Sequence, residues 1–381
     1  MFTLITGGEV YAPAPLGRLD VLIALDRIVR MGAVDTRALE ATGLGLEVID
    51  AAGCLITPGL LDPHEHLIGG SGEQGFATQT PEIAFHELVE GGITTVVGCL
   101  GVDTSTKGMP ALVAKAKALW AEGLSSYVYT GGYDVPPVTL TGTVRTDLLF
   151  VEEVIGAGEI AVSDRRSTQP SPAELARVVR QAYVGGILSG KAGVTHFHVG
   201  EERSALAPLR ALLSDYEIDP ALLYPTHVER SEALMEEAIG LTKAGVTVDI
   251  DTVERDLPRW VQFYFDHGGH PGRLTASSDA AINSPGTLLE QVRSCVVEHR
   301  LPLERVLPLV TSNTAKVLHL PDRGRLEDGA QADLLVLRKG SLELVHVMAR
   351  GRLLLRAGRL EHHEAFLADS NRRMILHGEK S

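Results

Sequence analysis

Apolar residues along the chain follow two different patterns. In the first 55 residues, short runs such as FTLITGGEVYAP and DVLIALDRIVRMG are rich in Val, Ile and Leu and are broken by Gly-Gly and Pro, which predicts short β-strands. The end of the chain has the same pattern of short apolar runs, in ADLLVLRKG and ELVHVMARGRLLLRAG. We therefore expect a small β-sandwich domain built from both termini, residues 1–55 and 325–381.

In the middle of the chain, strand-like runs alternate with amphipathic helical stretches. PEIAFHELVEGG, with Pro81 at the first helical position, and SPAELARVVRQAYVGGILSG, with Ser171 as the N-cap, predict helices. Eight strand–helix units in about 250 residues are typical of a (β/α)8 TIM barrel, which predicts this α/β fold for residues 56–324. A doubly wound open sheet is the alternative, but no glycine-rich dinucleotide loop follows the first strand.

Composition and charge exclude several classes of protein. The net charge of −14 argues against nucleic acid or an anionic membrane as a partner. The N-terminal sequence resembles no signal peptide, and no run of about 18 apolar residues occurs, so we expect a cytoplasmic protein without a membrane span. We interpret Cys54, Cys99 and Cys295 as buried apolar residues in a reducing compartment, because they are odd in number and widely spaced.

Histidines and an aspartate stand at the ends of four predicted strands. His64 and His66 are two residues apart, so both point to the same side of the first barrel strand. His198 ends the fifth strand, His227 the sixth and Asp279 the eighth. Because a barrel places its active site at the C-terminal ends of its strands, these residues predict a metal site in the barrel mouth.

The number of metal ions depends on a carboxylate. Three or four of these ligands fill a mononuclear site, whereas two ions about 3.5–4 Å apart need a carboxylate that bridges them. Glu159, in GEIAVSD on the fourth predicted strand, is a charged residue in a stretch that otherwise looks buried, and it is the candidate bridge. His196, two residues before His198, is a rival ligand that we expect one layer lower in the barrel.

Longer motifs carry a family resemblance. They include PGLLDPHEHLIGGSGEQG, GGITTVVGCLG, TGGYDVP, SDRRS, VGGILSGKAGVTHFHVG, PTHVER, ASSD and LPLVTSNTAKVL. Over most of its length the chain resembles the amidohydrolase superfamily and, more closely, the isoaspartyl (β-aspartyl) dipeptidases, to which LIGGSGEQG, TGGYDVP and THVER are specific. The resemblance implies hydrolysis of a small β-aspartyl dipeptide by a hydroxide that bridges two divalent metal ions, with Zn²⁺ as the expected metal. It also suggests a homo-oligomer, with an octamer as one candidate.

The resemblance implies a role for each site residue. His64 and His66 would bind the first metal ion and His198 and His227 the second, while Asp279 would ligate the first ion and act as general base. The residues expected to contact the substrate are Tyr133, which would stabilise the oxyanion, Glu73 for the α-ammonium group, Arg166 and Arg230 for a carboxylate, and a serine that maps to Ser284 or is replaced by Asn283. Arg165 is an alternative to Arg166.

The chain departs from the family at the metal bridge. The family's bridge is a lysine carboxylated by carbon dioxide, but here Glu159 occupies that position and no lysine occurs between Lys117 and Lys191. Because glutamate is shorter, its backbone must approach the metals more closely. One extra residue and two glycines in VIGAGEIAVSD predict a bulge that advances Glu159. The alternatives are a bridging Glu159, or a Glu159 that forms an ordinary ion pair beside a single metal ion.

Other departures leave the substrate open. Val102 replaces a threonine of the family, and the segment between the seventh and eighth strands is shorter, so altered specificity is one alternative. Another amidohydrolase, such as a deaminase or an N-acyl-amino-acid deacylase, is also considered, because His198 and Glu201 form an HxxE pattern. A non-catalytic scaffold is the third alternative, although such proteins usually lose metal ligands and all five are present here.

Overall fold

The structure, a computed structural model, describes residues 2–70 and 72–371. Its strands are β1 (Phe2–Thr6), β2 (Glu9–Tyr11), β3 (Pro15–Arg18), β4 (Val21–Ala24), β5 (Arg27–Met31), β6 (Leu46–Asp50), β7 (Cys54–Pro58), β8 (Leu60–Glu65), β9 (Ile93–Gly98), β10 (Ser125–Thr130), β11 (Val154–Val162), β12 (Val194–Val199), β13 (Leu223–Thr226), β14 (Val248–Asp251), β15 (Leu274–Ser277), β16 (Leu334–Arg338), β17 (Leu344–Ala349), β18 (Arg352–Arg356) and β19 (Arg359–Leu360). Its α-helices are α1 (Thr36–Ala41), α2 (Phe85–Glu90), α3 (Met109–Glu122), α4 (Val144–Phe150), α5 (Pro172–Ser189), α6 (Ala207–Asp215), α7 (Glu232–Ala244), α8 (Leu257–Asp266), α9 (Thr287–Arg293), α10 (Leu303–Val306) and α11 (Ser312–Val317).

The eight strands β8 to β15 form a parallel barrel. Six of them make one sheet in the order β13-β12-β11-β10-β9-β8, and β14 pairs with β15. The first and last strands meet, because Glu65 and Ala280 form a parallel bridge and the Asp279 amide donates to the His64 carbonyl at 3.1 Å. Helices follow the strands and bury their apolar faces against them. The predicted α/β TIM-barrel-like fold is therefore confirmed, and the open-sheet alternative is wrong.

Strands from both termini form two further sheets. A seven-stranded sheet has the order β19-β18-β17-β16-β7-β2-β3, and a four-stranded sheet has the order β5-β4-β1-β6. Antiparallel pairing of β7 with β16 joins the two ends of the chain. Ile5 and Ile23 of the smaller sheet share an apolar cluster with Ile56 and Val336 of the larger one. The β-sandwich description and the domain boundaries 1–55, 56–324 and 325–381 stay predictions.

Of the two helices predicted from their caps, one begins where it was predicted and the other begins later. α5 begins after Ser171, whose hydroxyl accepts from the Glu174 amide, as predicted. α2 begins four residues later than predicted, at Phe85, so the assignment of Pro81 to the first helical position is wrong. The chain before α2 is instead extended, because the Ile83 amide donates to the Leu67 carbonyl at 3.1 Å. Throughout the part of the chain that the structure describes, no helix has both the length and the apolar character needed to cross a membrane.

Candidate metal centre

The predicted metal ligands converge at the C-terminal mouth of the barrel. They come from five strands of the barrel: His64 in β8 and His66 directly after it, Glu159 within β11, His198 in β12, His227 after β13 and Asp279 after β15. His227 and Asp279 have left-handed backbones, with φ of 62° and 48°, at the points where the chain turns away from its strand. Such conformations are uncommon for residues other than glycine and concentrate at functional sites.

Glu159 lies between two pairs of histidines and is completely buried. Its Oε2 is 3.3 Å from Nε2 of His64 and 3.9 Å from Nε2 of His66, whereas its Oε1 is 2.7 Å from Nδ1 of His198 and 3.2 Å from Nε2 of His227. Burial alone would raise the pKa of Glu159, but the surrounding histidines outweigh burial and hold the pKa well below its ordinary value. One carboxylate oxygen therefore faces each histidine pair, as a bridging ligand requires.

A bulge in β11 brings Glu159 to this position. Ala157 pairs with Thr195 and Ile160 with Phe197, so β11 has one residue more than β12 between the same two pairs. Gly158 lies in the bulge with φ of 147°, and a Cβ there would be 2.8 Å from the Cβ and the carbonyl oxygen of His196. The predicted bulge is thus present, and both the backbone and the available space favour glycine at position 158.

Asp279 faces the first histidine pair. Its Oδ1 is 3.4 Å from Nε2 of His64 and 3.2 Å from Nε2 of His66. Within the described residues, both ring nitrogens of His64 and Oε2 of Glu159 are buried without a hydrogen-bond partner. Buried polar atoms that approach one another without hydrogen-bonding fit a set of ligands directed at a shared cation. The residues present therefore fit a metal centre.

Two aspartates that the sequence analysis did not single out hold the second histidine pair. Asp164 Oδ2 is 3.1 Å from Nε2 of His198, and Asp251 Oδ2 is 2.6 Å from Nδ1 of His227. Each contact leaves the other ring nitrogen facing Glu159. Carboxylate partners of this kind fix the orientation and tautomer of metal-binding histidines. Both aspartates stand at strand ends, and this position in the sequence is the feature from which they could have been predicted.

The environment of His227 extends to a second buried carboxyl group. Burial disfavours the charged imidazole, but hydrogen bonds to Asp251 and Glu159 outweigh burial and raise the pKa of His227 to about 9. Behind Asp251 lies Glu229, whose pKa is well above its ordinary value because of burial and the nearby Asp251 charge. A neutral Glu229 can donate a hydrogen bond to Asp251 and keep Asp251 directed at His227.

Tyr133 reaches the same centre from the loop after β10. Its hydroxyl is 2.8 Å from Nδ1 of His198, and its side chain is buried. Burial, reinforced by the negative charge of Glu159, raises the pKa of Tyr133 well above its ordinary value. The phenol therefore keeps its proton and remains a hydrogen-bond donor at neutral pH, as the predicted role requires.

Of the charged residues predicted to bind substrate, Glu73 and Arg166 contact each other, and Nη2 of Arg166 lies 3.0 Å from Nε2 of His198. Arg166 donates from Nη1 to Oε1 of Glu73 at 2.7 Å and from Nε and Nη2 to the two oxygens of Asp164 at 2.9 and 2.8 Å. Arg230 donates from Nε to the Val199 carbonyl at 2.9 Å. Both arginines line a cavity of about 300 Å³. Arg165 also lines this cavity but is exposed, so Arg166 is the inner of the two.

Ser284 is not placed with these residues. Its hydroxyl oxygen accepts a hydrogen bond from the Gly286 amide at 3.2 Å, and it lines a different cavity together with His86 and Glu290. The alternative, Asn283, is exposed, and its Nδ2 donates to the Val253 carbonyl at 3.5 Å. The structure therefore does not place Ser284 at the metal centre. The motif around Ser284 is short, so the sequence alone did not decide whether Ser284 or Asn283 occupies the position of the family's serine.

Neither the rival ligand His196 nor Lys191, which ends the lysine-free stretch, belongs to the clusters of possible metal ligands among the described residues. His196 is one layer deeper, as predicted, with its ring stacked on Tyr129 at a centroid distance of 5.0 Å, and burial lowers its pKa well below the ordinary value. Lys191 donates from Nζ to the carbonyls of Leu148 and Val151 at 2.8 and 2.6 Å, at the end of α4. Lys191 thus stabilises a helix terminus and is not a bridge.

The cysteines only partly match the prediction. All three are free thiols, and Cys99 and Cys295 are buried, but Cys54 is only half-buried. Cys99 does not lie in a purely apolar environment, because its Sγ is 3.7 Å from Nδ1 of His66. Cys99 thus packs in the apolar core with Leu61 and Val97, as predicted, and in addition contacts the ring of a predicted metal ligand.

Comparison with known proteins identifies the family. A model of the amidohydrolase family matches residues 275–360. The crystal structure of the β-aspartyl dipeptidase of Fervidobacterium islandicum AW-1 superposes with a TM-score of 0.91 at 36% identity and covers 95% of this chain and 99% of that one. This chain belongs to the amidohydrolase superfamily. The same bacterial dipeptidase in complex with β-Asp-Leu superposes on this amidohydrolase with a TM-score of 0.89.

More distant curated relatives of this amidohydrolase have other names. Adenine deaminase 2 of Rhizobium meliloti is 24% identical over 373 residues, which are 90% of this chain and 58% of the deaminase. Imidazolonepropionase of Anaeromyxobacter dehalogenans is 25% identical over 355 residues, which are 83% of this chain and 83% of the imidazolonepropionase. The chain thus spans less than two thirds of the length of the adenine deaminase.

Proposed function

We propose that this amidohydrolase is a metal-dependent dipeptidase that hydrolyses β-aspartyl dipeptides. The observation that carries the proposal is the meeting of Glu73 with Arg166, 2.7 Å apart, above a complete set of metal ligands. A dipeptide with a free β-linked aspartyl residue presents an ammonium group and a carboxylate on the same carbon, and so needs one acidic and one basic partner side by side. The resemblance to the Fervidobacterium dipeptidase supports the same substrate class.

The metal ligands divide into two sets that share Glu159. We assign His64, His66 and Asp279 to the first divalent ion and His198 and His227 to the second, with Glu159 as the bridge in place of a carboxylated lysine. Such ions, of which zinc is the expected one, lower the pKa of a bound water so that a nucleophile exists at neutral pH. The sharing is supported by the two Glu159 oxygens, which face different histidine pairs.

Asp279 is the proposed general base. Burial alone would raise its pKa, but His64, His66 and His227 lower the pKa below the ordinary value, so the carboxylate is ionised at neutral pH. Its side chain is 21% exposed, more than any other proposed ligand, and can therefore reach both the ligand cluster and the substrate. From this position Asp279 takes the proton of the nucleophile and delivers it to the leaving amine.

The remaining residues orient the substrate. Tyr133 donates a hydrogen bond to the scissile carbonyl oxygen and holds the oxyanion that develops there. Glu73 binds the α-ammonium group, and the planar guanidinium groups of Arg166 and Arg230 bind carboxylate. Both arginines line one cavity together with Asp164, whose carboxylate lies 3.1 Å from Nε2 of His198, so they stand next to the second histidine pair.

The deaminase alternative has less support. It depends on an HxxE pattern in which Glu201 acts beside His198. The Glu201 side chain is 82% exposed and lies 3.6 Å from Nη1 of Arg230, so it belongs to the rim of the cavity.

Purified protein, loaded with zinc and without added bicarbonate, is incubated with β-Asp-Leu, and free aspartate and leucine are quantified. We expect equimolar release of both. α-Asp-Leu tests the linkage, N-acetyl-β-Asp-Leu tests the need for the ammonium group, and we expect both to be hydrolysed far more slowly. Ammonia release from aminated heterocycles without release of aspartate would overturn the proposal in favour of a deaminase. Equal rates on the N-acetylated substrate would favour a deacylase.

A further inference from the structure

Cys99 follows β9 directly and lies at the level of the first histidine pair. Its amide donates to the Glu65 carbonyl at 2.9 Å, which ties the end of β9 to the residue between His64 and His66. The residue is 1% exposed. A thiol is thereby held at the C-terminal mouth of the barrel, where the imidazoles are.

The thiol faces more than one polar group. Sγ is 3.7 Å from Nδ1 of His66 and 3.6 Å from the Glu65 carbonyl oxygen. Sγ and one ligand atom from each of His64, His66 and Glu159 all lie within 4.8 Å of one another. Across the described part of the chain, the two nitrogens of His64 and Oε2 of Glu159 are buried and accept or donate no hydrogen bond. These unpartnered atoms are directed at the same small region as the sulfur.

We propose that Cys99 is a sulfur ligand of the metal ion on the His64–His66 side. Zinc bonds of about 2.3 Å to sulfur and about 2.0–2.1 Å to nitrogen place neighbouring sulfur and nitrogen ligands roughly 3.5 Å apart, a spacing within the 4.8 Å limit that holds for Sγ and one ligand atom each of His64, His66 and Glu159. On binding, the S–H bond is replaced by a sulfur–metal bond and the proton leaves to solvent, with no change of oxidation state. The inference depends on metal binding and not on the proposed substrate.

A thiolate changes which metals the centre prefers. Thiolate is a soft ligand that suits zinc, cobalt and cadmium, whereas magnesium and manganese prefer oxygen. We therefore expect the Cys99→Ser variant to lose affinity for zinc and cadmium by at least about tenfold and to retain its weaker affinity for manganese. The competing role for Cys99 is to orient His66 through Nδ1, without a bond to the metal.

X-ray absorption at the zinc edge of the full-length, zinc-loaded wild-type protein tests the bond without any variant. We expect a sulfur neighbour at about 2.3 Å. Cobalt-substituted protein gives a second readout, because a thiolate bound to cobalt produces an intense near-ultraviolet charge-transfer band. We expect this band in the wild type and in Cys295→Ser, a matched control at another buried cysteine, and its absence in Cys99→Ser.

A zinc-edge spectrum with only nitrogen and oxygen neighbours would overturn the proposal and leave Cys99 as an orienting partner of His66. Retention of the charge-transfer band in Cys99→Ser would also overturn it. Neither readout uses dipeptide hydrolysis, so a failure of the proposed substrate assignment would leave the sulfur test intact. Circular dichroism of each variant verifies folding, and the wild-type zinc spectrum decides the question if Cys99→Ser does not fold.

Discussion

A fully buried carboxylate is costly unless charged or hydrogen-bonding partners compensate it, and the four histidines around Glu159 supply that compensation. In the proposed centre the same atoms would bind two metal ions. The role of Glu159 therefore depends on its charge, and not only on its shape or its place in the strand.

We expect Glu159→Gln to lose about one of the two metal ions per chain, because an amide lacks the charge to bridge two cations. Metal analysis after gel filtration measures this, with Glu236→Gln, at an exposed position of α7, as control. Added bicarbonate should restore nothing. Two retained ions in Glu159→Gln would contradict the bridging role and favour the ion-pair interpretation.

In the proposed centre, Asp251 would act on the second metal ion through His227. We expect Asp251→Asn to weaken metal binding at the second histidine pair about 10- to 100-fold, because the carboxylate that fixes the His227 ring is lost. Competition with a chelator measures the affinity, and Asp266→Asn, in an exposed part of α8, is the control. An unchanged affinity would show that the ring is held without Asp251.

At this scale the sequence predicted which residues would converge, because residue type and position at a strand end are local properties. The sequence could not predict that Asp164 and Asp251 contact these histidines. Which ring nitrogen of His198 faces Asp164 depends on the orientation of the ring, and several strands together determine that orientation. Cys99 was correctly expected to be buried, but residue type does not reveal what a buried thiol faces. The sequence left the predicted serine open between Ser284 and Asn283, because its motif fits two registers.

Among the elements, β11 has the strongest bearing on the site. The bulge at Gly158 and Glu159 was predictable from one extra residue and two glycines. The start of α2 was not, because a proline suits an extended segment as well as a first helical turn. A backbone hydrogen bond from the Ile83 amide to the Leu67 carbonyl favours the extended segment, and it joins residues that are not neighbours in the sequence.

We expect Gly158→Ala to destabilise the protein by about 2–4 kcal/mol, from backbone strain and the contact with His196. It should also reduce the amount of bound metal by displacing Glu159. Gly142→Ala is the matched control, because Gly142 also has a positive φ, of 102°, but a Cβ there meets nothing within 4 Å. Chemical denaturation and metal analysis measure both effects. An equal loss of stability in the two variants would show that close packing at Gly158 is unimportant.

On the scale of the whole molecule, contacts from the C-terminal region hold it against the barrel. Arg350 donates to the Trp120 carbonyl at 2.8 Å and stacks on its ring, and Glu364 accepts from the His86 backbone amide at 3.1 Å and lies 2.5 Å from the His86 ring. The barrel itself was predictable because strand–helix alternation is local. These contacts were not, because they join residues more than 200 positions apart.

The His86–Glu364 pair predicts a pH-dependent stability. The hydrogen bond to Glu364 raises the pKa of His86, and although burial opposes it, the bond to His86 lowers the pKa of Glu364 to about 2. The contribution of His86 is complete below about pH 6.5 and is lost as pH rises through its raised pKa, and that of Glu364 is complete above about pH 4.5 and is lost toward pH 2.

We expect Glu364→Gln to cost about 1–3 kcal/mol near pH 6 and less near pH 9. Urea denaturation at both pH values, at constant metal concentration, measures the difference from wild type. Glu361→Gln, in the same segment but exposed, should show no such dependence. A cost that is the same at both pH values would contradict a charged pair.

The ion pair between Glu73 and Arg166 has a further consequence for selectivity. Under the proposed function, the substrate enters by exchange: its ammonium group replaces Arg166 at Glu73 while its carboxylate replaces Glu73 at Arg166. A molecule with only one of the two charges would break the pair but replace only one of its partners, whereas a molecule with both charges would replace both. Under the proposed function, this internal salt bridge would compete with the substrate and favour a zwitterion, which offers a partner to both Glu73 and Arg166.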